Sequence, residues 1–370
     1  MKILFLTRHF PPAVSGGARR PYLWVKGLEA NGVEVFVIAP DIPDGISGAV
    51  VPHPNRDPGT SIPGHTTLRD IARDLLLWPD PDIRWAKRAV AVAKARCPFT
   101  PDWIITTSPP ESIHAAGKRL KQHWPCAKWA IDARDHWLVR PFRKQRRNPL
   151  RRYWESIGAR AMLIDADAVF AVSVLIRDEY RDYAVKAALH TLPHFVRRPP
   201  APHQFEGPGP HLVHTGSFKM SDPYVSIDPL LRAFECAVDT NPDLVLHLAG
   251  RLREDEIQAV SESKAADRID LVGIVPLDTA LAMQAGAHAL IVVAAPNAPV
   301  PPGKIAEYRA TGVPIIPIGT GEWRKLVDVE PGSDAERLAG VMPLKARSAP
   351  SGVAFEDAAM RSVLDVLKTV

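Results

Sequence analysis

The sequence predicts an α/β protein of two doubly wound, Rossmann-like domains that face each other across a cleft. Three observations predict this fold class. Short apolar runs alternate with amphipathic stretches of helical length along almost the whole chain. These runs form two series, which a stretch rich in proline and glycine separates. With 370 residues, 46% of them hydrophobic, the chain is long enough for two domains of ordinary size.

The strands follow from the apolar runs in chain order. Residues 193–211 contain too many prolines and glycines for either core, so they are predicted to link a domain at 1–192 to a domain at 212–350. Residues 41–66 have a similar composition and are predicted to leave the first sheet as an irregular excursion. Parallel strands are predicted at 2–7, 33–40, 102–108, 128–135 and 168–173, and then at 211–216, 244–250, 268–273, 288–295 and 313–318.

Bulk properties exclude several classes of protein. The three cysteines are widely spaced without a C-x-x-C pair, so neither a disulfide framework nor a zinc site is expected. The apolar run at the N-terminus is too short for a secretion signal, and no later run approaches a membrane span. We therefore expect a soluble or peripheral protein of the cytoplasm. The net charge of +5 is distributed unevenly, which does not favour nucleic acid as a partner.

Residues 299–318 are predicted to form a loop, a short helix and a buried strand. Prolines followed by Gly303 end the preceding apolar run, so the helix is predicted to begin at Lys304 and to end near Thr311. Lys304 and Glu307 share the face of the first turn, where free backbone N–H groups also point. A diphosphate suits this helix start, and a ribose diol suits the Glu307 carboxylate. The alternative is an ordinary surface pair between Lys304 and Glu307.

The pattern P-x-K-x-x-E-Y-x-x-x-G-x-P at 302–314 resembles the nucleotide-sugar site of retaining GT-B glycosyltransferases of family 4. The resemblance implies that Glu307 binds the ribose of the donor. The full family signature has a second glutamate eight residues earlier, where this chain has Pro299. The resemblance further implies that the first domain lies on the acceptor side and that the second domain binds the nucleotide sugar. It also implies that residues 351–370 form a last helix that packs back toward the first domain.

Two glycine turns are candidate parts of the donor site. Gly16 and Gly17 follow the first strand and permit close approach of a ligand to the backbone. The absence of G-x-G-x-x-G there counts against a nicotinamide site. The stretch resembles the opening of family 4 glycosyltransferases, which implies that this loop faces the sugar. The alternative is that Gly16 and Gly17 form only a flexible turn. Further candidates follow strands of the second domain. Gly216, Ser217 and Lys219 match in position the turn that receives the donor diphosphate in the family, and Arg251 ends the next strand.

The first domain contains a candidate catalytic segment, KWAIDARDHW, in which a buried strand ends in Arg134, Asp135 and His136. Polar side chains at the carboxyl end of a strand point into a ligand crevice. The segment resembles the R-D-x-W pattern of glycosyltransferases that build O-antigen and exopolysaccharide units. Asp135 is predicted to orient an acceptor hydroxyl, Arg134 to hold it or a phosphate, and His136 to move a proton. The alternative is an Arg134–Asp135 pair that closes the sheet edge.

Two pairs of polar residues in the first domain are predicted to be structural. Asp80 and Asp82 form a D-P-D triplet between helical segments, which is typical of a helix cap rather than a metal site. Ser108 and Glu111 have the spacing of a capping box.

The stretch from Arg140 to Arg152 contains seven basic residues and no acidic one. A solvated charge run is one interpretation. Interleaved apolar and aromatic residues favour an anionic membrane surface or a lipid-linked acceptor instead. Nucleic acid is not expected, since no recognition module accompanies the patch.

Together these patterns predict a glycosyltransferase. It is expected to move a sugar from a UDP-, GDP- or dTDP-linked donor to a glycan or lipid-linked acceptor, with retention and without metal or cofactor, at the cytoplasmic face of the membrane. Two alternatives stay open. One is a nucleotide-sugar 2-epimerase of the same fold, and the other is a non-catalytic binding subunit, which Pro299 suggests.

Overall fold

The computed structural model describes residues 1–12, 16–53, 78–138, 149–220, 224–295, 304–321, 324, 327, 331–342 and 354–370. These residues fold into two compact units. The described parts of 1–195 and 356–370 form the first unit, and those of 196–355 form the second.

The first unit contains a parallel sheet of seven strands in the order β3-β2-β1-β4-β5-β6-β7. Helices lie between most successive strands, as is usual for parallel pairing, whereas residues 40–47 join β2 to β3 without a helix. The strands are β1 (Lys2–Thr7), β2 (Glu34–Ala39), β3 (Gly48–Val50), β4 (Trp103–Ser108), β5 (Lys128–Ala133), β6 (Ala168–Ala171) and β7 (Ala188–Thr191). The helices are α1 (Gly16–Ala30), α2 (Ile83–Arg96), α3 (Ser112–His123), α4 (Pro149–Leu163) and α5 (Val174–Arg181).

The second unit contains a parallel sheet of five strands in the order β11-β10-β9-β12-β13. Two further short strands, β8 (Phe195–Val196) and β14 (Ala354–Phe355), pair with each other. The sheet strands are β9 (His211–Thr215), β10 (Val245–Ala249), β11 (Ile269–Gly273), β12 (Ala289–Val293) and β13 (Ile315–Ile318). The helices are α6 (Asp228–Thr240), α7 (Glu254–Ser261), a 3₁₀ turn (Ala266–Arg268), α8 (Leu277–Gly286), α9 (Lys304–Thr311) and α10 (Asp334–Ala339).

The last helix, α11 (Glu356–Thr369), belongs to the first unit. It buries an apolar face that includes Met360, Val363 and Leu367. The indole N–H of Trp103 on β4 donates a hydrogen bond to the carbonyl of Leu367 at 3.0 Å. The final residues therefore complete the core of a unit that the first residues begin.

The central strands of both sheets are buried along almost their whole length, as parallel strands covered on both faces must be. This explains why they read as continuous apolar runs, and all ten predicted strands are confirmed. None of the helices in the described ranges combines the length and apolar character needed to cross a membrane.

Two structural predictions in the first unit, for residues 41–66 and 108–111, are wrong. The region 41–66 is not wholly irregular, because Gly48–Val50 adds the edge strand β3 to the sheet. Ser108 and Glu111 form no capping box: Glu111 makes no side-chain cap hydrogen bond, and Ser108 Oγ lies near the carbonyl of Asp132. The N-terminus of α3 is instead capped by the carboxylate of Asp80.

Asp80 caps the N-terminus of α3. Its Oδ2 accepts a hydrogen bond from the backbone N–H of Ser112 at 2.8 Å, and its Oδ1 accepts from the N–H of Asp82 at 2.9 Å. Burial, followed by the nearby Glu111 carboxyl, raises the pKa of Asp80 to about 6. Asp80 therefore caps a helix, as predicted, but that helix begins 32 residues later in the chain. The cap predicted at Asp82 is wrong, because Asp82 precedes α2 without a side-chain cap hydrogen bond.

Candidate functional site

The strand order of the second unit reverses direction between β9 and β12. In doubly wound sheets, the crevice at such a switch point, outside the carboxyl ends of the strands, is the usual place for a ligand. The loop at 216–220 leaves β9 there, and α9 begins with Lys304. Gly303 lies outside the described residues.

Lys304 and Gly216 come together at this crevice. A Cβ atom on Gly216 would lie 3.4 Å from the Lys304 Nζ, and the φ angle of Gly216 is +102°, which disfavours a side chain. The Lys304 ammonium lies 3.2 Å from the His214 Nε2. Burial lowers the pKa of Lys304 to about 8, so it remains mainly protonated at pH 7. The Lys304 ammonium therefore lies beside the backbone of Gly216, which has no side chain of its own.

Gly250 allows this turn to form. It follows β10, and a Cβ atom there would lie only 2.3 Å from the carbonyl oxygen of Gly216. The two strand ends are joined by a hydrogen bond from the Gly216 N–H to the Ala249 carbonyl at 2.8 Å. The backbone of the Gly216 turn therefore rests directly on that of Gly250.

A buried polar network fixes α9 to the sheet. The fully buried Tyr308 accepts a hydrogen bond from the Thr215 backbone N–H at 2.9 Å, and Gln284 of α8 donates to the Thr215 hydroxyl at 2.9 Å. This network holds the first turn of α9 at the end of β9. Glu307 lies in that turn and is 8% exposed.

The other predicted residues of this unit lie around the turn. Lys219 donates to the Asp255 carboxylate at 2.8 Å, and this hydrogen bond raises the pKa of Lys219. The buried Glu256 accepts from the backbone N–H of Lys219, which ties the loop to the start of α7. Ser217 is half-buried, and Arg251 is exposed after β10. The structure thus brings Gly216 and Lys304 together, whereas the ammonium of Lys219 is directed to Asp255.

The first unit has a corresponding switch point between β1 and β4. Arg134 lies there, 7% exposed, and donates hydrogen bonds to the backbone carbonyls of Ser108, Pro109 and Gly17. Its guanidinium thereby joins the ends of β4 and β5 to the start of α1, where Gly16 and Gly17 lie. These three hydrogen bonds connect backbone segments of the first unit. A contact between Arg134 and a substrate stays a prediction.

His136 pairs with a carboxylate. Its Nδ1 lies 2.6 Å from the Glu179 Oε2, and Glu179 Oε1 accepts from the backbone N–H of Leu138. Because an ionised carboxylate only accepts, Nδ1 of His136 carries the proton and Nε2 holds the lone pair in the neutral ring. Such a ring is suited to proton transfer. Asp135, between Arg134 and His136, is half-buried.

A second cluster at this edge was not singled out from the sequence. Arg8 donates to the His53 Nδ1 at 2.7 Å, so His53 donates through Nε2 to the Asp82 carboxylate at 2.8 Å. His9 lies against Gly17, and burial together with the charges of Arg134 and Arg8 lowers its pKa to about 3. The sequence did contain a pattern that could have indicated this cluster, since Arg8 and His9 directly follow β1. A strand end with two basic residues indicates a ligand edge.

Beneath the edge lies a buried ion pair between Arg20 and Asp132. The Arg20 guanidinium donates to Asp132 Oδ1 at 2.8 Å and to the carbonyls of Leu192 and Pro193, while Thr107 donates to Asp132 Oδ2. Both charged side chains are almost fully buried. Asp132 is the one charged residue within the run WAIDA at 129–133, and this charge among apolar residues marks the site in the sequence. No group of three or more histidine, cysteine or carboxylate side chains with metal-binding geometry occurs among the described residues.

Solved structures with a similar fold include an epimerase candidate, a UDP complex and a glycosyltransferase. One is a candidate UDP-N-acetylglucosamine 2-epimerase from Listeria monocytogenes (13% identity, TM-score 0.56, covering 100% of this chain and 96% of that one). Another is the S. aureus MnaA–UDP co-structure (12% identity, TM-score 0.56, 99% and 96% covered). A third is AviGT4, a glycosyltransferase involved in avilamycin A biosynthesis (13% identity, TM-score 0.54, 99% and 97% covered).

These likenesses extend over both units. The chain therefore has the GT-B fold, which confirms the predicted class of two Rossmann-like α/β units. No family model matches the sequence, and no match is found among curated proteins.

Proposed function

We propose that this chain is an enzyme that binds a nucleotide-diphosphate sugar in its second unit and transfers the sugar to a glycan or lipid-linked acceptor, with retention. The observation that carries the proposal is the Lys304 ammonium beside the Gly216 turn, at the switch point of the sheet. A cation, exposed backbone and a helix start together suit a diphosphate. Glu307, one turn along the same helix, suits the ribose diol. The GT-B fold supports the same ligand class.

A 2-epimerase is the second candidate, because two of the similar structures are an epimerase candidate and a UDP complex. The two activities differ in their need for an acceptor. We would incubate the protein with UDP-, GDP- and dTDP-linked sugars, with and without lipid-linked or soluble saccharide acceptors, and identify products by mass spectrometry and anomeric NMR. Acceptor-dependent transfer supports the proposal. A C2-epimerised sugar formed without acceptor supports the epimerase, and binding without turnover supports a binding subunit.

Glu307→Gln is expected to weaken nucleotide-sugar binding about tenfold or more, since hydrogen bonds to a charged group contribute roughly 1.5–3 kcal/mol. A carboxylate accepts from both ribose hydroxyls, whereas an amide has one acceptor and adds donors. Calorimetry with the preferred donor measures the change. Glu262→Gln, exposed after α7, is the charge-matched control and is expected to bind normally. Unchanged affinity in a folded Glu307→Gln protein contradicts the ribose assignment.

Asp135→Asn is expected to leave donor affinity unchanged and to lower the rate of transfer, because Asp135 belongs to the first unit and the proposed nucleotide site to the second. The measurement is kcat with saturating donor, beside donor affinity by calorimetry. Asp165→Asn, on the surface beside Lys118, is the control. Transfer at the wild-type rate would assign Asp135 to the sheet edge and remove it from the chemistry.

We further propose that α4 contacts an anionic membrane surface, where lipid-linked acceptors are found. Tyr153 and Trp154 are each 64% exposed on its outer face, Ile157 is 44% exposed, and Arg152 and Arg160 flank them. Exposed aromatics beside basic residues suit the headgroup region. The rest of the basic stretch, at 140–148, lies outside the described residues.

Replacing Tyr153 and Trp154 by serine is expected to reduce co-sedimentation with vesicles of phosphatidylglycerol and phosphatidylcholine severalfold and to spare activity on a soluble acceptor. Each basic residue near an anionic surface contributes about 1 kcal/mol, so the remaining binding should also fall as salt rises. Leu175→Ser, 72% exposed on α5, is the matched control. Wild-type protein that stays in the supernatant at low salt would contradict the membrane proposal.

A further inference from the structure

His214 lies directly behind the Lys304 ammonium. It is the fourth residue of β9, and its side chain is 1% exposed. Its ring stacks on Phe218 with the centroids 4.3 Å apart and the planes 9° apart. Packing therefore leaves the imidazole one orientation.

The hydrogen bonds of His214 determine which nitrogen carries its proton. Nδ1 lies 3.0 Å from the carbonyl oxygen of Ile291, which only accepts, so Nδ1 carries the hydrogen. Nε2 of the neutral ring then holds a lone pair directed at Lys304, 3.2 Å away. Burial and the charge of Lys304 lower the pKa of His214 well below its usual value, so the ring stays neutral.

We propose that His214 is a positioning residue for Lys304, holding its ammonium as a hydrogen-bond donor beside the Gly216 turn so that it meets the diphosphate of the ligand; this rests on the proposed function. An ammonium has three donors. One is directed to His214, which sets the direction of the other two. Without this acceptor the four-carbon stem of Lys304 is free to adopt other rotamers, which binding must then restrict.

The acceptor also influences the charge of Lys304. A lone pair facing the ammonium stabilises the protonated form, which burial alone disfavours. Removing the lone pair should lower the pKa of Lys304 further below about 8 and reduce its protonated fraction near neutral pH. Strands β12 and β13 contain no titratable side chain within their bounds. Besides His214 and Lys304, the titratable side chains on the other surrounding elements are His211 on β9, Lys219 after β9, His247 on β10, Arg251 and Arg253 after β10, Glu254, Asp255 and Glu256 on α7, Asp278 on α8, and Glu307, Tyr308 and Arg309 on α9.

The test compares His214→Phe with His214→Gln. Phenylalanine keeps the stack on Phe218 and removes the acceptor, whereas glutamine supplies a carbonyl oxygen that can accept from Lys304. Affinities for UDP, GDP and dTDP, and for the corresponding nucleosides, are measured by calorimetry between pH 6.5 and 9. Thermal unfolding checks that each variant is folded.

Three results are expected. His214→Phe weakens binding of the nucleoside diphosphate about tenfold at pH 7 and leaves nucleoside binding unchanged, as loss of a charge-assisted contact predicts. The wild-type affinity falls as pH rises through about 8, and the fall begins at lower pH in His214→Phe. His214→Gln restores binding to within about threefold of wild type, because it restores the acceptor.

A double-variant cycle separates positioning from general stability. In the Lys304→Ala background, His214→Phe is expected to cause no further loss, because it acts through Lys304. Additive losses, equal losses for diphosphate and nucleoside, or an unshifted pH profile would overturn the role of His214. If the wild type binds none of the three diphosphates, the proposed function fails, and this inference fails with it.

Discussion

Asp132→Ala is expected to destabilise the first unit by about 3–5 kcal/mol, the usual effect of removing one partner of a buried ion pair. Arg20 would keep its charge in a site that is 4% exposed, with only the carbonyls of Leu192 and Pro193 remaining among its hydrogen-bond partners in the described structure. Thr107 would lose its acceptor as well. The strand end and residues 192–193 would loosen together.

Urea unfolding followed by tryptophan fluorescence measures this effect selectively, because eight of the nine tryptophans precede residue 196. The matched variant replaces both partners, Arg20→Met with Asp132→Leu. Apolar replacement of a whole buried pair is often neutral or stabilising, so the double variant should recover most of the loss. A single variant with wild-type stability would mean that water reaches Arg20 in solution and that the pair is not buried.

Gly250→Ala is expected to destabilise the second unit by about 1–3 kcal/mol and to weaken diphosphate binding at the same time. The added Cβ would lie 2.3 Å from the backbone carbonyl oxygen of Gly216. Because the backbone fixes the position of a Cβ atom, no side-chain rotation relieves the clash. Gly216, which lies beside Lys304, must then shift. Calorimetric unfolding and UDP titration measure the two effects.

Gly207→Ala is the control for this experiment. Gly207 also lies in the second unit and has a φ of +83°, but a Cβ there would meet nothing within 4 Å. This change should cost about 1 kcal/mol through backbone strain and leave ligand affinity unchanged. If the two variants behave alike, the contact between Gly250 and Gly216 does not shape the site.

The sequence predicted the strands and helices that are determined by the residues within them and directly beside them. Apolar runs of six to eight residues predicted ten of the twelve strands of the two sheets, because parallel strands buried on both faces need that composition. Proline and glycine before Lys304 and after Thr311 predicted α9 with its observed bounds. The edge strand β3 was missed since its three residues, Gly-Ala-Val, are too few to form a pattern.

Contacts between distant parts of the chain were not predictable in the same way. Arg20 and Asp132 are 112 residues apart, and Asp80 caps a helix that starts 32 residues later. Nothing in either local stretch specifies its partner. His214 illustrates the same limit in the site: the sequence places it on a strand, whereas its contact with Lys304, 90 residues away, depends on the pairing of the strands. The roles predicted for Asp135, Lys219 and Arg251 stay predictions.

The first unit is built from two separate parts of the chain, 1–195 and 356–370. Met360 of α11 packs against Gly27 of α1, and the Leu367 carbonyl accepts a hydrogen bond from Trp103 of β4. This arrangement has a consequence for synthesis. At about 5–20 residues per second, the ribosome needs roughly 8–30 s to proceed from residue 195 to residue 356. During that interval the surface that receives Met360, Val363 and Leu367 is uncovered, while the second unit is still being synthesised. We therefore expect the nascent first unit to keep this apolar surface exposed, and to be prone to aggregation, until α11 is synthesised.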